Sequence, residues 1–312
     1  MSGTAFRLAS AGALLLWFCA AQSAFSHMDA ARVSLSQLYL SADVVVIARI
    51  EAVEERSLLL DNKPTVYEVV SAEVSSQYKG KELNTVEFFQ DAHGHAHYLS
   101  GDVAVLFLDK LSGKQRLGEI GSAAGVELVS SQVRNTEHRI KPADQADYEW
   151  ILASYAELAS TTGDTAEQRS RRIKEIMLRM LGSNSTHITE SALLDWENSG
   201  SGIQLQQEEL AYLLALTRDS DRPLNLRLAI LRSMSRKQLV DGTAWIYLFE
   251  NETNEEMLSV VRSTQGNESR VFMPYIVPLL DSPSDQLVEG AARALGHPIY
   301  KGAEPALESL LN

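Results

Sequence analysis

Apolar positions fall in two rhythms along this chain. From about Ser36 to Val133 they form short, β-branched or alternating runs: Asp43 to Ile50, Val66 to Val74, Thr85 to Phe89 and Asp102 to Leu108. Such runs predict strands. Turn residues at Asp61-Asn62-Lys63-Pro64, Lys79-Gly80-Lys81 and Ser112-Gly113-Lys114 separate them. Four or five strands in a stretch of about a hundred residues predict a small barrel or sandwich. From Ala143 onward the beat becomes helical, with Tyr148, Ile151, Leu152, Tyr155 and Leu158 on one stripe and Ile173, Ile176, Met177, Met180 and Leu181 on another. Ser199-Gly200-Ser201-Gly202 is a flexible link before the last third. The expected class is α+β.

The last third repeats. Asp219, Glu250 and Asp281 are spaced by 31 residues, and each is followed by an apolar pair: Ala229 and Ile230, Val260 and Val261, Ala291 and Ala292. A fixed short period predicts stacked helical hairpins, each too small to bury its own apolar face. In the third copy, Ser282 is the expected helix cap, with Pro283 at the first position and Asp285 reciprocating. Leu287, Val288, Ala291, Ala292 and Leu295 then face inward and Gly296 ends the helix. The preceding helix runs through Pro274, Ile276, Leu279 and Leu280, and its phase returns at Pro305, Leu307, Leu310 and Leu311. Asn312 stands at the Asp281 position, halfway through a hairpin. That end is expected to be either polar, through Lys301, Glu304 and Glu308, or a contact site, including self-association.

Residues 1–26 carry Arg7, an apolar run from Ala11 to Ala21 and the small-flanked Ala24-Phe25-Ser26. This reads as a secretory signal peptide, cleaved after Ser26 or after Ala21. Bulky Trp17 and Phe18 before Cys19 argue against a lipoprotein signal. The expected compartment is the periplasm or the exterior. Cys19 is the single cysteine, so the exported chain would have no disulfide, thiol nucleophile or cysteine metal site. No second apolar run is long enough to span a bilayer, so no membrane insertion is expected after cleavage. The net charge of -13 disfavours nucleic acid as a partner. The basic cluster Arg169, Arg171, Arg172, Lys174 and Arg179 lies at helical spacing and reads as a solvated helix face.

Candidate chemistry is sparse. His93, His95 and His97 alternate, so an extended segment would point three imidazoles one way, a donor set suited to zinc, copper or nickel. The alternative is an exposed polar hairpin. A mature N-terminal His27 would add an amine and a ring for copper. His138, His187 and His297 are isolated. No G-x-S-x-G, H-E-x-x-H, Walker or G-x-G-x-x-G motif is present. Of the aromatics in the middle repeat, Trp245 and Phe249 are expected in the core and Tyr247 at the surface, where it could meet a partner.

Two resemblances refine these readings. Ala42-Asp43-Val44-Val45-Val46, Tyr67-Glu68-Val69, Tyr78-Lys79-Gly80 and Gly101 to Phe107 resemble the OB-type barrel of the netrin-like and tissue-inhibitor-of-metalloproteinases superfamily. That resemblance implies a barrel over roughly residues 36–110. The superfamily inhibits through an N-terminal cysteine that chelates the target's zinc, and this chain has no mature cysteine. Met273 to Asn312, with Leu279-Leu280-Asp281 and Ala291-Ala292-Arg293-Ala294-Leu295-Gly296, resembles the HEAT-like repeats first named from phycobilisome lyases. Such repeats mostly scaffold proteins, and the lyase activity does not travel with them. The expected organisation is a signal peptide at 1–26, a β-rich OB-like domain at 27–140, a helical connector at 141–203 and HEAT-like repeats at 204–312. The leading functional expectation is non-enzymatic protein binding on a helical solenoid, with Tyr247, Leu307, Leu310 and Leu311 as contact residues. Metal binding by His93, His95 and His97, with zinc or copper, is the alternative, and a protease-inhibitor-like barrel is a third.

Overall fold

Val45 through Ala48 are buried without interruption, whereas alternation returns in the residues that follow, and both patterns belong to one long strand. The computed structural model describes residues 33–60, 63–91, 98–111, 126–130, 139–199 and 203–310. The protein is α+β, a five-stranded sheet followed by about ten helices. Backbone contacts divide it into two units, one holding Val33 and Ser41–Arg139, the other holding Ser34–Leu40 together with the segment from Ile140 onward. The segment expected as a connector and the repeats thus lie in one unit. The first helix, α1 (Leu35–Ser41), falls almost wholly in the helical unit, although it precedes every strand.

In the sheet unit, β1 (Val44–Leu60) and β2 (Lys63–Lys79) form an antiparallel pair much longer than the apolar runs predicted. The cross-strand ladder carries the polar outer stretch, which has little apolar pattern of its own. Register shifts near Val45, Ile47 and Ile50 bend β1. β3 (Thr85–Asp91) pairs with β2, and β4 (Val103–Lys110) pairs with β1. The short β5 (Leu128–Ser130) runs parallel to β3 and antiparallel to β4, so the hydrogen-bonded order β1-β2-β3-β5-β4 returns to β1. Val46, Ala48, Ile50, Val70, Phe88 and Leu106 supply one shared core. Gly80 turns the chain after β2 at φ +97°, where an added Cβ would meet the Asp43 carbonyl and Val44 at 3.0 Å.

The helical unit begins with α1 and continues with α2 (Gln145–Ser160), α3 (Ala166–Gly182) and α4 (Thr186–Asn198). Then come α5 (Gln207–Arg218), α6 (Leu224–Arg236), α7 (Thr243–Asn251) and α8 (Asn254–Ser263). Last are α9 (Met273–Ile276), which runs into a 3-10 segment at Val277–Asp281, α10 (Asp285–Leu295) and α11 (Glu304–Ser309). Thr165 and Gln168 form a capping box at the start of α3, as do Thr253 and Glu256 at α8. Helices pack in series: α3, α5 and α7 follow one another, and so do α4, α6, α8 and α10. Asp219, Glu250 and Asp281 fall at or within two residues of the ends of α5, α7 and the 277–281 segment.

The third copy departs from expectation at its cap. Ser284, not Ser282, caps α10 by accepting a hydrogen bond from the Leu287 N–H at 3.4 Å, and Ser282 instead accepts from the Ser284 N–H at 3.2 Å. Pro283 therefore lies ahead of the helix. The inward face of α10 is Leu287, Ala291, Ala294 and Leu295, with Val288 and Ala292 half-buried. Pro274 and Pro278, each at the start of its segment, leave the preceding helix as the short α9 and a 3-10 turn.

Two buried arginines tie successive helices together. Arg222 donates to the carbonyls of Leu181 at 2.5 Å, Gly182 at 3.0 Å and Ser183 at 2.6 Å, closing the C-terminal end of α3. Helix ends leave carbonyls without intrahelical partners, and a cation there also meets the negative end of the helix dipole. Arg227 donates from Nε to the Arg222 carbonyl and holds Glu252 with both terminal nitrogens, at 2.5 and 3.0 Å.

Candidate functional site

Four helices of the second unit surround the cavity with the most chemical character. Ser191 and Asp195 lie four apart on α4 and so share one face. The Ser191 hydroxyl accepts a hydrogen bond from the Leu35 N–H at 2.6 Å, and Ser36 Oγ donates to Asp195 Oδ1 at 2.7 Å. These bonds satisfy α1 at its N-terminal end and bring Tyr39, one turn further along, to Tyr155 of α2, with ring centroids 5.6 Å apart and planes tilted by 48°. Tyr155 donates from its hydroxyl to Met180 Sδ of α3 at 3.3 Å. Between these groups is a cavity of about 250 Å³.

The walls are mainly apolar, and among the described residues the Asp195 carboxyl is the one acidic group lining them. Burial pulls that carboxyl above its ordinary value, against the hydroxyls of Ser34 and Ser36, which pull it down. Burial also pushes the Tyr155 hydroxyl well up, and the Asp195 charge adds to it. Leu40 is 68% exposed and Ile173 40%, and both line the cavity, so apolar surface continues to its mouth. Arg169, exposed, also lines it. Among the described residues no histidine or cysteine lines the cavity, which offers one carboxylate, two phenols and serine hydroxyls.

The residues singled out from sequence lie elsewhere. His93, His95 and His97 fall outside the described residues, as do His27, His138, Leu311 and Asn312. Among the described residues no three histidine, aspartate or glutamate side chains gather as metal donors. Tyr247 on α7 is half-buried, with the Arg218 guanidinium 5.8 Å from its ring centre. Leu307 on α11 is half-buried against the helical core, and Leu310 is 41% exposed beside the exposed Lys301, Glu304 and Glu308. Trp245 and Phe249 are buried, and Phe249 stacks on Tyr275 at 5.6 Å. His297 accepts at Nδ1 from the Ile299 N–H at 3.3 Å. The basic residues of α3 are partly engaged: Arg172 pairs with Glu157 and Asp164, Lys174 with Glu209, and Arg179 sits 3.8 Å over the Trp150 ring.

Sequence reasoning missed Asp195 and its partners because Ser36 and Asp195 are 159 residues apart. The recoverable signal was a carboxylate placed among the apolar residues of α4. No protein-family profile, curated protein or solved structure matches the chain.

Proposed function

We propose that this chain is an exported, non-enzymatic protein-binding scaffold in which an OB-like barrel precedes a short HEAT-like solenoid. The serial packing of α4, α6, α8 and α10 carries this reading, because repeated hairpins that bury their faces against neighbours build extended binding surfaces. The strand order returning to β1 supports the barrel. Among the described residues no helix is long and apolar enough to cross a membrane. The net charge of -13 favours a neutral or basic partner.

The test has two stages. The full chain is cross-linked in its native compartment and the recovered protein is purified and titrated against the wild type and a Tyr247→Ala variant. Loss of a half-buried aromatic at a contact weakens binding about tenfold or more. Failure to recover a saturable partner, or recovery of the chain only in the cytoplasm, would overturn the reading.

A further inference from the structure

We propose that the cavity bounded by α1, α2, α3 and α4 binds a small organic cation, an amine or quaternary ammonium with an apolar body, whose charge meets Asp195 and the rings of Tyr39 and Tyr155. The proposal is independent of the scaffold reading.

Three observations converge on that ligand. The first is size. A dry apolar cavity of about 150 Å³ holds benzene, so about 250 Å³ takes a molecule of about ten heavy atoms. The second is the uncompensated carboxylate. Charges drawn out of water are ordinarily paired, yet among the described residues the half-buried Asp195 has only hydroxyl partners and no lysine or arginine bridge. It also sits in the last turn of α4, where the helix dipole disfavours an anion and favours a cation. The third is the wall. The aromatic side chains of Tyr39 and Tyr155 line it, with Met177 and Met180 as adaptable thioethers, side chains of the kinds that receive an alkylated ammonium. One carboxylate with serine hydroxyls is too few oxygen donors for a calcium or magnesium ion. Arg169 stands at the exposed part of the cavity, so an anionic ligand held by that guanidinium is the competing arrangement.

Titration of the full chain by calorimetry with hexylamine, 1-hexanol and hexanoate at one ionic strength tests this. These probes share an apolar body and differ in head charge. Hexylamine is expected to bind about tenfold tighter than hexanol, from the worth of a charge-assisted hydrogen bond, and hexanoate weakest. Asp195→Asn keeps an acceptor for Ser36, so it should bring hexylamine to the hexanol level and leave hexanol unchanged. Ala159→Phe, at an exposed position lining the cavity, should weaken both while the helical circular dichroism is retained. A capped lysine serves as a protein-borne amine and should bind more weakly than hexylamine.

Equal affinity for hexylamine and hexanol, tightest binding of hexanoate, no binding of either, or an amine preference that survives Asp195→Asn would each overturn the assignment. Tighter binding of the capped lysine would overturn a free small molecule as the ligand. A carboxylate that only tethers α1 predicts that Asp195→Asn changes stability and leaves the probe order alone.

Discussion

Glu252 shows how much of this fold rests on single buried charges. Its side chain is 6% exposed and that of Arg227 4%, and the two-point geometry of the pair satisfies both. Glu252→Gln removes the anion and leaves the guanidinium buried, so it should cost about 3–5 kcal/mol in urea unfolding. A loss below about 1 kcal/mol would show that Arg227 finds solvent in the variant. Glu209 gives a pH test. Burial raises its carboxyl, but the hydrogen bond from Lys174, the Gln206 N–H and the Lys174 charge outweigh this, and the net shift is downward. A lowered carboxylate contributes its stability above the ordinary 4.5 and loses it as pH falls through the folded value. Lys174→Met should therefore lower the urea midpoint at neutral pH and shrink the further loss below 4.5. Neither charge was legible beforehand. Arginine and glutamate in polar stretches read as solvated, and only the packing of successive helices reveals that Arg222, just before α6, and Arg227, within it, are buried.

At the scale of elements, periodicity carried real information. The 31-residue spacing of Asp219, Glu250 and Asp281 locates helix ends, and Ile230, Val260, Val261 and Ala291 are all buried on the helices that follow. The strand runs were legible too, but not the reach of β1 to Leu60, along which Ala52 to Ser57 are paired rather than buried. Small residues control how closely the helices approach. At Gly290 of α10 an added Cβ would lie 2.6 Å from Leu258 Cδ1 of α8. Gly290→Leu should displace the Leu258 side chain and cost about 1–3 kcal/mol, despite the better helix propensity of leucine. Chemical denaturation checks this, and a stabilised variant would mean that α8 and α10 pack more loosely than described.

The whole molecule is two units whose boundaries do not follow the chain. The expected divisions came from changes in sequence rhythm, and rhythm has no means of assigning a short helix such as α1 to partners far away. Its Leu35 and Leu38 are buried, and its N-terminal end is bonded to α4 through Ser191 and Asp195. The same long-range closure forms the candidate cavity, which explains why no local motif announces it. This arrangement has a temporal side. During synthesis α1 emerges before the other described helices, and the Ser191 hydroxyl that accepts from Leu35 follows 156 residues later. Until then the Leu35 N–H lacks that acceptor, and the start of α1 is not yet tethered to α4. Completion of the helical unit must await that late, high-contact-order closure, so the earliest of the described helices is among the last to be secured.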